Sequence, residues 1–355
     1  KSCWSVFIAI NTDQQDLDRS KATSKVLLGR GTGAGADPEK GRSAARDSED
    51  KIKEVLEGTD MLFITAGMGG GTGTGASPII AEVAKSMGIL TVAVVTKPFS
   101  FEGPIKKNNA LAGIKNLKEN VDTLIAIPND KLFEIPGMNI TLLNAFKEAN
   151  GILKIGIKGI SDLIMKQGTI NLDFADIRSI MQNSGIAMLG FGEANGDEKA
   201  KSATAQALNS PLLEKSIEGA RKILINITGG PDVSLNEVNE VANTVTAKAG
   251  SEPNLIWGYI LDEELEGTIS VSIVATDFQD NLHSNIQENN NSKTVRFAPE
   301  IKKEEIKPLS SEEEKQQKSD IFSEKDENQK KDFDDEDEDD DDSMSDFVLP
   351  PFFQE

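Results

Sequence analysis

The sequence predicts an α/β protein: a doubly wound parallel sheet, a long buried helix, a second α+β domain and a disordered acidic tail. Three observations carry this expectation. Short apolar runs alternate with polar, helix-compatible stretches up to about residue 127. One apolar segment then keeps helical spacing over residues 141–166, and beyond residue 278 the composition changes abruptly.

The runs VFIAI (6–10), MLFIT (61–65), LTVAVVT (90–96) and TLIAIP (123–128) are rich in β-branched residues and too short for long helices. Continuously apolar strands suit a parallel sheet covered on both faces by crossover helices. In the next segment Leu142, Leu143, Phe146, Ala149, Ile152, Leu153, Ile157, Ile160 and Ile164 cover much of a helical circumference, so the helix should lie between two layers. Gly151, Gly156 and Gly159 each weaken it by about 1 kcal/mol against alanine, and close approach of a neighbour is the expected compensation. KILINITGG (222–230), LIWGYIL (255–261) and TISVSIVAT (268–276) read as strands of the second domain, and Ser234 with Glu237 forms a capping box opening a helix. The tail runs through an unbroken acidic stretch, 334–342, that cannot bury enough apolar surface to fold. It ends in FVLPPFF (347–353), an apolar peptide suited to a partner's groove.

Composition excludes several classes of chemistry. The formal net charge of -21 is concentrated in the tail and argues against direct nucleic-acid binding. A single cysteine, Cys3, allows neither an internal disulfide nor a thiolate metal cage, so the sequence reads as cytosolic or at least indifferent to redox. The single histidine, His283, follows the last strand-like segment, so carboxylates, lysines and backbone dipoles must carry any catalysis. No apolar run approaches the roughly 18 residues of a membrane span, so direct membrane insertion is not expected. The chain opens on a strand-like stretch without a methionine, which suggests a fragment or an incomplete gene model.

The strongest local signal is the strand–loop–helix string MLFITAGMGGGTGTGASPIIAEVA, with Gly69, Gly70, Gly71, Gly73 and Gly75 in the loop and a helix expected from near Pro78. Glycines let a backbone approach phosphate oxygens, the helix N-terminus adds a positive dipole, and Thr72 and Thr74 offer hydroxyls. No GxxxxGK[ST] is present, so this is not a Walker loop, and a plain glycine turn is the competing reading. A second glycine cluster, residues 29–36, matches GxGxxA at Gly29, Gly31 and Ala34 and leaves a dinucleotide-dependent oxidoreductase as an alternative, although Asp37-Pro38 looks like a helix start. Thr96, Pro98 and Glu102 follow a strand end, where open parallel sheets bind ligands; Glu102 could meet a ribose and Lys106 a phosphate. Asn129 follows another strand end, and Phe146 and Asn150 share a helix face, offering a ring to stack on a purine and amides for its edge. Asn171, Asp173 and Asp176 lie just after the long helix, where such residues commonly form solvated caps on a loop or strand start.

Taken in order, AINTD (9–13), GTGAGADPE (31–39), GGGTGTG (69–75), VVTKPFSFEG (94–103), IPNDKL (127–132) and NLDFAD (171–176) closely resemble the FtsZ family of tubulin-like bacterial division GTPases over about residues 7–277. The resemblance implies a tubulin/FtsZ-like fold: a GTPase domain over 1–140, a central helix over 141–168, an activation domain over 169–278, a linker over 279–344 and a partner-binding peptide over 345–355. It implies that residues 69–75, with Gly35 and Ala36, hold the phosphates of GTP or GDP, accompanied by Mg2+. Thr96, Pro98, Glu102 and Lys106 would serve the sugar and phosphates, and Asn129, Phe146 and Asn150 the guanine. Asn171, Asp173 and Asp176 would be catalytic, offered to the nucleotide of the adjoining copy, so that hydrolysis accompanies head-to-tail assembly at the mid-cell division site. Membrane tethers or division proteins would dock on the tail peptide.

Departures from the family pattern are also legible. Its first phosphate loop is not found, Lys106 stands where the family has arginine, and Asn150 stands where aspartate is common. Gln354 and Glu355 replace the usual basic end. A truncated relative that assembles poorly and acts only as an interaction protein is the remaining alternative.

Overall fold

The computed structural model describes residues 5–134, 141, 144–165, 172–213, 215–250 and 252–278. All of them belong to the compact unit 1–288; the tail readings, His283 and Asn171 lie outside the described residues.

The first half alternates strands and helices. β1 (Ile8–Asn11), α1 (Gln14–Arg19) and β2 (Ser24–Leu27) come first, followed by α2 (Pro38–Arg46) and α3 (Glu49–Leu56). β3 (Met61–Gly67), α4 (Thr72–Ser86), β4 (Leu90–Lys97), α5 (Pro104–Lys118) and β5 (Thr123–Pro128) complete the alternation. Asp37 caps α2 by accepting from the Glu39 N–H at 3.0 Å, and Pro38 fills the first helical position, where a missing N–H costs nothing. β1 pairs in parallel with β2; β3, β4 and β5 pair in parallel in that order, as the continuously apolar runs require.

α6 (Ala145–Met165) follows, then α7 (Phe174–Met181) and the two-residue β6 (Gly185–Ile186), which joins the parallel sheet beside β5. β7 (Met188–Asn195), α8 (Lys199–Leu208), β8 (Ala220–Gly229), α9 (Leu235–Ala249), β9 (Asn254–Leu261) and β10 (Thr268–Phe278) build the second domain. Its sheet runs β7-β10-β8-β9, with β10 antiparallel to both neighbours and β8 parallel to β9. The Ser234–Glu237 capping box opens α9 as expected.

Apolar packing explains the layers. α2 to α5 cover one face of the parallel sheet through Ala45, Ile52, Ile80 and Leu117. The other face, with Val94, Ile125 and Ile127, packs on α6 and α7 and reaches Leu189, Leu224 and Val274 of the second sheet. α6 is therefore sandwiched between two sheets. Its glycines divide: a Cβ on Gly156 would come within 2.9 Å of Leu189 and one on Gly159 within 3.3 Å of Ser272, whereas Gly151 faces open space. Close packing compensates the first two and leaves the third unexplained.

Candidate functional site

Parallel registry brings three strand ends together. Gly67 pairs with Thr96, and Thr96 with Ile127, so the chain leaves β3, β4 and β5 at one level. The Met68 N–H, donating to the Thr96 carbonyl at 2.9 Å, ties the first exit to the second. Just beyond lies a cavity of about 200 Å³. Of the residues expected at a ligand, Gly70, Thr96, Pro98, Glu102, Lys106, Asn129, Phe146 and Asn150 stand on its walls. Gly67, Met68, Ala149 and Leu153 stand there too. Helical spacing from Phe146 and Asn150 could have found Ala149 and Leu153; Gly67 and Met68 carried no chemical signal.

The glycine-threonine segment departs from its expected form. α4 begins at Thr72, six residues before Pro78, which therefore sits inside the helix and removes one hydrogen bond. The first N–H groups of α4 have no intrahelical acceptors, as at any helix start, and the N-cap Gly71 has no side chain to cap them. The glycines serve different masters. A Cβ on Gly71 would strike Ala34 and Asp37, one on Gly73 the Gly67 carbonyl, and one on Gly75 the Pro38 carbonyl, so these three permit backbone packing against neighbouring segments. Gly70 alone of the five faces open space, on the cavity wall, and Gly69 has φ of +116°, a conformation that favours glycine. The Thr74 hydroxyl accepts from the Gly69 N–H at 2.8 Å, and the Thr72 and Thr12 hydroxyls lie 2.6 Å apart. Gly35 and Ala36 are exposed and do not line the cavity; their loop reaches the glycine segment through Ala34 and Asp37.

Opposite this segment, Glu102 pairs with Lys106 at 3.0 Å through one carboxylate oxygen and accepts from the Phe99 N–H at 2.8 Å through the other. The Ser100 N–H donates to Asp130 at 2.8 Å, fastening the turn after β4 to the turn Asn129–Glu134. Asn129 is 4% exposed, and its Oδ1 has no hydrogen-bond partner. A buried acceptor left unpaired costs about 1–3 kcal/mol, which a donor entering the cavity would recover. Phe146 and Asn150 complete the wall from the first turns of α6.

The carboxylates after α6 are elsewhere. Asp173 caps α7 by accepting from the Asp176 N–H at 2.8 Å, while Asp176 accepts from the Asp173 N–H at 3.2 Å. They sit on a helix start, a correction to the loop or strand start expected there; the reciprocal cap is a real structural function for both. Neither lines the cavity; along the chain they follow α6, which at 1.5 Å per residue is about 30 Å long. Among the described residues, Glu102 is the one carboxylate on the cavity wall.

Comparison with known proteins supplies the lineage. The model of the Tubulin/FtsZ family GTPase domain matches residues 2–137, and that of the FtsZ family C-terminal domain matches residues 185–279. An empty FtsZ dimer from M. jannaschii is 48% identical, covering 76% of this chain and 79% of that one, with a TM-score of 0.73. The chain belongs to the FtsZ family. A mutant FtsZ from the same organism is 46% identical, covering 78% and 85% of the two chains at a TM-score of 0.74. CetZ2 from Haloferax volcanii shares the fold at 23% identity, covering 78% and 86% of the two chains, with a TM-score of 0.63. As an FtsZ-family protein the chain is a tubulin-like cell-division GTPase from a family that binds GTP and GDP and self-associates. The dinucleotide reading of residues 29–34 has no support: the glycines there form a loop at positive φ that ends in the α2 cap.

Proposed function

We propose that the cavity beyond β3–β5 binds GTP, and that hydrolysis occurs when a second copy docks head to tail and brings its Asp173 and Asp176 to the phosphates. The observation that carries this reading is the separation within one chain: the wall has amides, a ring, a lysine and Gly70 just ahead of α4, yet its one carboxylate among the described residues is engaged by Lys106 and the Phe99 N–H. A group able to orient or deprotonate water must then come from outside, and general-base assistance is worth about 10²–10⁴-fold.

The residues present fit a purine nucleotide. The unpartnered Asn129 Oδ1 can accept from the guanine edge, Phe146 can stack, Asn150 can bond the base, and the phosphates would lie by Gly70 and the first turn of α4, with Lys106 neutralising charge. Magnesium would arrive with the triphosphate, held by phosphate oxygens and water. Among the described residues no group of three or more His, Cys, Asp or Glu could hold a metal ion, so no protein ligand is assigned to it.

A heterologous contact of this kind does not close on itself and propagates as a filament. The protein would act in the cytoplasm at the mid-cell division site, with tethers or other division proteins docking on residues 345–355. No helix among the described residues is long and apolar enough to cross a membrane.

A mixing experiment tests the shared site. Asn129→Ala, impaired in nucleotide binding, and Asp176→Asn, lacking the donated carboxylate, should each turn over GTP poorly alone. Mixed, the pocket of the second meets the carboxylates of the first, and turnover should recover in part. No recovery, together with equal turnover per copy in dilute and concentrated wild-type protein, would remove the shared-site reading.

A further inference from the structure

Four phenylalanines meet beside the cavity. Phe99 is 1% exposed, whereas Phe101, Phe133 and Phe146 are each about half exposed. The Phe99 ring lies 5.0 Å from Phe101 and nearly parallel to it at 15°, 5.6 Å from Phe133, and 5.7 Å from Phe146 at 86°. Phe101 also meets Phe146 edge-on, at 6.5 Å and 80°.

Filling a core needs volume, which leucine would supply as well as phenylalanine. Edge-to-face contact adds direction, because the positive rim of one ring seeks the negative face of another. Two such contacts fix the plane of Phe146, a half-exposed side chain in the first turn of α6 that would otherwise exchange rotamers freely. The backbone of Phe99 holds the opposite wall, since its N–H donates to Glu102, whose other oxygen pairs with Lys106.

We propose that Phe99 is a positioning residue for base recognition. It does not line the cavity and acts through Phe146, presenting that ring at the angle a purine must meet, so specificity is set partly by a side chain that touches no ligand. Phe101 reinforces the same ring from the solvent side. The inference rests on the reading of this cavity as the nucleotide site.

A double-mutant cycle separates positioning from general damage. Binding of the fluorescent nucleotide mant-GDP is titrated in dilute protein for wild type, Phe99→Leu, Phe146→Leu and the pair. Leucine at 99 keeps the backbone N–H and most of the apolar volume. It should raise the dissociation constant about three- to ten-fold when Phe146 is present and hardly change it in the Phe146→Leu background. Equal losses in both backgrounds, or none in either, would overturn the proposal. If Phe99→Leu does not fold by circular dichroism, the half-exposed Phe101→Leu enters the same cycle, and additive losses there overturn it equally. Failure of wild type to bind mant-GDP would instead count against the nucleotide site itself.

Discussion

The two ends of α6 differ in what they leave undone. At the N-terminal end, around Phe146 and Asn150, the wall carries an unpaired buried amide oxygen, a half-exposed ring and Gly70, which leads into α4. At the C-terminal end Asp173 and Asp176 satisfy each other's backbone, and Arg178 lies 5.1 Å over the Phe174 ring. On the proposed reading the first end receives the nucleotide and lacks a free base, while the second supplies the carboxylates. Under the shared-site proposal, such a chain acquires its full chemistry from a second copy, whose carboxylates meet the first one's cavity.

The sharpest way to break this comparison is Asp176→Asn. The amide oxygen can still accept the Asp173 N–H, so the cap and the fold should survive, while turnover should fall about 10²-fold or more with nucleotide affinity of the monomer unchanged. Parallel loss of affinity, read by mant-GDP titration, would place the carboxylate within its own chain's site. Asp176→Ala should add a loss of about 1 kcal/mol of stability because the cap goes too.

At the other end, Asn129→Ala should weaken nucleotide binding about ten-fold. Its effect on the empty protein should be neutral or stabilising, because a buried oxygen without a partner disappears. Thermal melts with and without GDP read both signs; a destabilised empty protein would mean that Asn129 is structural.

A control away from α6 is the ion cluster of the second domain, where buried Lys199 pairs with Asp232 and lies 3.8 Å from Glu237. The Lys199 hydrogen bond, then the Gly267 N–H, hold the Asp232 carboxyl below its usual value of 3.8. A depressed folded-state value means stability that is present above pH of about 4 and lost as pH falls through the folded value. Asp232→Asn should therefore lower the melting temperature at pH 7, and the gap to wild type should close in acid. A constant gap would assign the loss to packing. Tyr259 nearby is shifted up by burial, then by Asp232 and Glu237, consistent with its donating to the Gly230 carbonyl at 2.6 Å as a neutral phenol.

The smallest effect belongs to α6 itself. Gly151→Ala meets no atom within 4 Å and should stabilise the protein by about 0.5–1 kcal/mol, whereas Gly156→Ala, crowded by Leu189, should gain less or lose. Equal gains at both positions, measured by denaturant unfolding, would show that the second sheet yields easily.

Much of this molecule was readable in one dimension. Strand and helix periods, the Asp37 and Ser234 caps and the polar wall residues Glu102, Asn129 and Asn150 follow from short-range rules, because spacing along a chain sets which side chains share a face. What the sequence by itself determined was therefore the class of fold, the lineage and most of the residues at the cavity. Only the tertiary structure decided that Gly71, Gly73 and Gly75 make room for neighbouring backbone, that α4 starts before its proline, and that Phe99 meets Phe146 edge-on beside the cavity. Those facts arise from contacts between segments far apart along the chain, and local pattern carries no distance between such segments.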